Sequence, residues 1–113
     1  MSYAEAVSRF LSQVKARIDK HYAKNLSNLT PPTFEISPGR KYDKVVEVTF
    51  FAENRSRASY CYIDKTTGDI LKGNWKGVTA PKVARGNIFG DDPLTGTNLY
   101  GVDYLKMDNS RYK

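Results

Sequence analysis

The sequence predicts an α+β fold, in which an N-terminal amphipathic helix packs on a small antiparallel sheet of three or four strands and a loop-rich C-terminal segment follows. Three observations predict it. Apolar residues recur at spacings of three and four from Val7 to Tyr22, the apolar period changes to two from Thr33, and glycine and proline crowd the chain beyond Gly73. One domain over 1–113 is expected, with the helix over 1–25, an antiparallel meander over 33–73, an irregular wrap over 74–107 and a frayed tail over 108–113.

The helix has a start signal. Ser2 followed three residues later by Glu5 is a capping-box pattern, in which the hydroxyl accepts from the Glu5 amide and the carboxylate accepts from the Ser2 amide. Val7, Phe10, Leu11, Val14, Ile18 and Tyr22 then share one stripe, while Arg9, Gln13, Lys20 and Lys24 fall largely off it. Lys20, His21 and Lys24 put cations near the negative end of the helix dipole, so the helix should end near Asn25. A helix-terminal role also explains His21 more simply than general-base chemistry. Residues 26–32 combine small polar groups with a double proline that cannot continue a helix, and read as a linker.

The strands follow from alternation. Phe34 and Ile36 alternate with polar neighbours, Pro38-Gly39 marks a turn, and Tyr42, Val46, Val48 and Phe50 line one face of a longer strand. Lys41, Asp43, Glu47 and Thr49 occupy the opposite face, which is expected to be wet. After a polar break at 53–56, the aromatic-rich stretch 58–63 suits another strand. Asp64-Lys65-Thr66-Thr67-Gly68-Asp69 is a short loop with Gly68 where a positive φ would close a bulged hairpin, and Ile70-Leu71-Lys72 returns. The C-terminal segment holds Trp75, Val83, Ile88, Phe89, Leu94, Leu99, Tyr100, Val102, Tyr104 and Leu105, enough apolar surface to wrap back onto the domain.

Composition excludes several classes. The longest apolar runs fall far short of the roughly 20 residues that span a bilayer, and Met1-Ser2-Tyr3-Ala4-Glu5 lacks the basic start of a secretion signal. No membrane role is expected, and the chain should stay in the compartment where it is made. Cys61 is the one cysteine, so no intrachain disulfide forms and the thiol should pack as a small hydrophobe. With His21 and Cys61 the only soft ligands, a tetrahedral zinc site is excluded, and no cofactor is expected.

No catalytic set assembles either. There is no second histidine, no Ser or Cys nucleophile beside a base, and no glycine-rich phosphate loop between strand and helix. Asp64-Lys65-Thr66 looks like the phosphorylated-aspartate motif of transport ATPases, but Thr67-Gly68 breaks that pattern. Asp91-Asp92-Pro93 reads as a solvated turn, since a calcium loop needs oxygen ligands at alternate positions. A small hydrolase or nuclease would require Asp64, Asp69 or Asp91 to converge on a metal.

The second half of the chain carries a resemblance. The string Ile63-Asp64, Thr67-Gly68-Asp69-Ile70, Lys72, Trp75-Lys76, Pro81-Lys82, Ala84-Arg85-Gly86-Asn87-Ile88-Phe89 and Tyr100-Gly101-Val102-Asp103-Tyr104-Leu105 resembles a group of short, uncharacterised tailed-bacteriophage proteins. The segment Pro38-Gly39-Arg40-Lys41-Tyr42 also looks like that family's earlier strand. Where the family often carries Lys-His before Ala-Arg-Gly, this chain has Lys82-Val83. The resemblance implies a phage origin, an α+β accessory protein and residence in the cytoplasm of the infected host, and it transfers no catalytic residue.

A net charge of +6 favours anionic partners. The best candidate surface is Lys72, Trp75, Lys76, Lys82 and Arg85, a stretch with no acidic residue between Asp69 and Asp91. Cations beside an indole suit single-stranded nucleic acid, because the charges follow phosphates while the aromatic face stacks on a base. Tyr60 or Tyr62, if exposed on their strand, would extend the platform. Arg85-Gly86-Asn87 could likewise form an anion nest. The competing structural readings are that Trp75 plugs the core edge and that Arg85 bonds loop carbonyls. The alternative function is a protein-interaction or assembly module that docks a host or viral protein, or a second copy of itself.

Overall fold

A computed structural model describes residues 1–103. Helix α1 (Tyr3–Asn25) begins as the cap requires, with Ser2 Oγ accepting from the Glu5 amide at 3.1 Å and Glu5 Oε1 accepting from the Ser2 amide at 3.0 Å. The helix buries Ala6, Phe10, Val14 and Ile18, one residue per turn. It closes where the Leu26 amide donates to the Tyr22 carbonyl at 2.8 Å. His21 lies in this last turn, in contact with the Asn25 amide at 3.2 Å.

The strands are β1 (Thr33–Ser37), β2 (Tyr42–Phe51), β3 (Asn54–Asp64), β4 (Asp69–Leu71), β5 (Gly73–Asn74), β6 (Gly77–Val78), β7 (Gly86–Asn87), β8 (Thr97–Asn98) and β9 (Gly101–Val102). An antiparallel five-stranded sheet runs in the order β1-β2-β3-β4-β7, and β5-β6 and β8-β9 form two short ribbons. The architecture is α+β. The sheet has five strands where three or four were expected. The additional strand is β7, which pairs Asp69 with Asn87 and Ile70 with Gly86. Two residues cannot display an alternation, so β7 left no periodic trace in the sequence.

Residues paired directly across an antiparallel sheet share a face. The pairs Ile36–Val45, Val45–Cys61, Asp43–Ile63 and Ile63–Ile70 therefore put Asp43, Val45, Cys61, Ile63 and Ile70 on one face. That face meets α1, and Val45, Cys61, Ile63 and Ile70 join Phe10, Val14, Ile88 and Val102 in the core. This corrects the expectation for β2. Asp43 is not wet; it is 7% exposed and accepts from the Tyr3 hydroxyl at 2.8 Å. Burial and the Asp43 carboxylate push the Tyr3 hydroxyl's pKa up. Val46 and Val48 lie on the opposite face and are buried as well. Alternation identified which residues share a face, but both faces of the middle of β2 are covered.

A β-bulge sets the middle of β3. Val45 pairs with Cys61 and Val46 with Ser59, which leaves Tyr60 as the extra residue. Tyr60 and Cys61 then both enter the core, and Tyr60, Cys61, Tyr62 and Ile63 are buried consecutively. Burial pushes the Cys61 thiol's pKa up.

Arginines of α1 tie the irregular segment down. Arg9 donates to the carbonyls of Ile88 (2.6 Å) and Gly90 (2.8 Å). Arg17 Nη2 donates to the Tyr60 hydroxyl (2.7 Å), Thr97 Oγ1 (2.9 Å) and the Asn98 carbonyl (2.9 Å). The expected wrap is described as far as Asp103. Tyr104, Leu105 and the tail expected over 108–113 lie outside the described residues. Among the described residues no helix is long and apolar enough to cross a membrane.

Two substitutions test this packing. Gly68 has φ +80°, and a Cβ there would fall 2.6 Å from the Phe89 ring. Gly68→Ala is expected to lower stability by at least about 1–2 kcal/mol, measured by denaturant unfolding. Glu47 pairs with Phe34 and Ala58, and burial raises its carboxyl pKa. The fold therefore favours the protonated form, and that contribution is lost as pH rises through the raised value. Glu47→Gln, always neutral, should melt above the parent at about pH 7, with the difference shrinking toward about pH 4.

Candidate functional site

The β5-β6 ribbon turns through Trp75 and Lys76, with Asn74 paired to Gly77. Asn74 Oδ1 accepts from the amides of Lys76 (2.9 Å) and Gly77 (3.2 Å), so a side chain stands in for a backbone turn partner. The ribbon is docked on the sheet face opposite the helix. Tyr62 donates its hydroxyl to the Asn74 carbonyl at 2.7 Å, and Lys44 Nζ donates to the Trp75 carbonyl at 2.7 Å. Gly73 permits this approach, since a Cβ there would lie 2.5 Å from the Tyr62 ring and from the Gly77 carbonyl oxygen.

Lys44 also covers one face of the indole. Its Nζ stands 3.8 Å from the Trp75 ring centroid and 5.9 Å from that of Tyr62. Trp75 remains 50% exposed and Lys76 beside it is exposed. The residue is anchored through its backbone carbonyl, Lys44 covers one face of its ring, and half of its surface meets solvent.

The other expected members are distributed differently. Lys72 donates to the Val102 carbonyl at 3.4 Å and lines a cleft of about 310 Å³ with Tyr60 and Tyr100. Arg85 Nη1 donates to the carbonyls of Val83 (2.9 Å) and Pro81 (3.4 Å), and burial lowers its pKa. Gly86 and Asn87 are paired in β7, and Asn87 Nδ2 donates to the Thr67 carbonyl (2.9 Å) and Asp69 Oδ1 (3.0 Å). Lys82 is exposed on the loop between β6 and β7. Trp75 and Lys76 are thus adjacent, while Lys72 and Arg85 are turned to backbone carbonyls.

The tyrosines do not extend an exposed platform. Tyr60 is in the core, where its hydroxyl donates to the Asn98 carbonyl at 2.5 Å, and Tyr62 lies under the ribbon. The bulge and the docked ribbon bury them. The sequence reading also missed Lys44. Its one signal was a cation between Tyr42 and Val46, on an otherwise apolar strand face, where it needs a π-face or a carbonyl as partner.

Asp64 Oδ1 accepts from the amides of Thr66 (2.8 Å) and Thr67 (3.2 Å), and Asp91 is exposed. Among the described residues no group of three or more His, Cys, Asp or Glu is placed to hold a metal ion.

No curated protein and no solved structure matches the chain. One family model does, over residues 1–100, and the chain therefore belongs to that family, a family of unknown function designated DUF7717.

Proposed function

We propose that this protein is a phage accessory protein that acts by binding rather than catalysis, taking single-stranded nucleic acid on the surface around Trp75 in the cytoplasm of the infected bacterium. The observation that carries this reading is the half-exposed indole at a ribbon tip, with Lys44 on one ring face and Lys76 alongside. A Trp placed for packing alone is usually highly buried. An indole that is fixed in position yet solvated offers a base a stacking surface whose ordering cost is already met, and the flanking ammonium groups attract phosphate. The phage origin is supported by the resemblance of residues 63–105, and the binding role by the net charge of +6.

A protein-interaction role is the second reading, favoured by Phe50 and Phe51. Both are exposed near the turn of the β2-β3 hairpin, beyond the residues that pair with β1 and β4.

Trp75 is the chain's one tryptophan, so its fluorescence reports the site directly. Oligothymidine is expected to quench it at low salt, with affinity falling as salt rises. Trp75→Ala, followed by anisotropy of a labelled oligonucleotide, should weaken binding by about 1–3 kcal/mol, roughly 5- to 150-fold in Kd. A flat titration at low ionic strength would remove the nucleic-acid reading and favour the protein partner.

A further inference from the structure

We infer that the binding surface continues from Trp75 to Tyr42 and onto the cations Arg40, Lys41 and Lys65, so that the ligand is a single strand with bases stacked on two separate rings and its phosphates tracked along the turn end of the sheet. The inference rests on the nucleic-acid reading of Trp75 and names residues which that reading does not use.

Tyr42 and Lys44 are two apart in β2 and so share a face. Their Cα atoms are roughly 6–7 Å apart, about the distance between successive phosphates of an extended strand. Trp75 rests on Lys44, the residue two along from Tyr42 on that face. Each ring has its own ammonium: Lys44 Nζ at 3.8 Å from the Trp75 centroid, and Lys41 Nζ at 5.3 Å from the Tyr42 centroid. Such cation-flanked aromatics combine stacking with phosphate attraction.

The adjoining corner is built as one piece. The Lys65 amide donates to the Lys41 carbonyl at 3.1 Å, and Lys65 Nζ donates to the Gly39 carbonyl at 3.0 Å. The β1-β2 and β3-β4 turns are therefore fastened together, and Arg40, Lys41 and Lys65 are all exposed on them. Of the nearby carboxylates, Asp43 is buried on the opposite face against Tyr3, while Asp64, paired with Tyr42 and half-buried, accepts from the Thr66 and Thr67 amides and leaves three cations, Arg40, Lys41 and Lys65, against one carboxylate at this corner. A duplex keeps its bases stacked on each other and cannot occupy two separated rings, so the arrangement selects an unpaired strand.

The test titrates the full-length chain with oligothymidine across a salt series, using Trp75 fluorescence, which every variant retains. The triple variant Arg40→Gln, Lys41→Gln, Lys65→Gln is expected to reduce the slope of log affinity against log salt by about 2, from about 0.7 per lost phosphate contact. Tyr42→Leu should weaken binding at least about fivefold without changing that slope. The triple variant alters exposed side chains, and an unchanged melting temperature shows that losing the Lys65 Nζ bond to the Gly39 carbonyl has not loosened the corner, so it tests the inference even if Tyr42→Leu fails to fold. Quenching with unchanged slope and unchanged affinity in the triple variant would overturn the extension and leave Trp75 as an isolated platform. Absence of quenching in the parent chain would overturn the nucleic-acid reading itself.

Discussion

The irregular segment from Gly73 to Asp103 depends on long side-chain donors reaching backbone carbonyls. Strands of two or three residues leave many carbonyls without ladder partners, and buried carbonyls must find donors elsewhere. The helix supplies Arg9 to Ile88 and Gly90 and Arg17 to Thr97 and Asn98; the sheet supplies Lys44 and Tyr62 to the β5-β6 turn. Lys15 does the same for the linker, donating to Pro32 at 3.0 Å. A helix whose apolar stripe faces the sheet thus uses its flanking cations to hold irregular chain, which explains how so loop-rich a segment acquires one arrangement.

That constraint also sorts the positive charge. Arg9, Arg17 and Arg85 direct terminal guanidinium nitrogens at carbonyl oxygens, so they add to the net charge of +6 while these donors are spent on backbone. Lys76, Lys82, Arg40 and Lys41 are exposed. The stretch between Asp69 and Asp91 read as one basic surface because charge is visible in a sequence and the direction of a side chain is not. Lys44, the cation that covers the indole, lies outside that stretch.

Local signals were legible and long-range ones were not. The Ser2–Glu5 cap, the helix end at Asn25 and the positive φ of Gly68 are each decided within a few residues, and all are present. The β3 bulge, the β7 pairing and the choice of which β2 face meets α1 are decided by contacts between distant segments. Asp43 shows the difficulty. Its charge suggested solvent, but a partner forty positions away, Tyr3, makes burial tolerable. The candidate site divides in the same way: the ring of Trp75 was identified from composition, whereas its Lys44 support required the fold.

The central claim is that the lone indole is solvated and set among cations. It is tested most directly by comparing quenching of Trp75 fluorescence by iodide and by caesium in the free protein at low ionic strength. Iodide should quench efficiently and caesium weakly, because ammonium groups concentrate the anion near the ring and repel the cation. Protection from both ions would mean a buried ring, and stronger quenching by caesium would mean an acidic environment; either result would contradict the account.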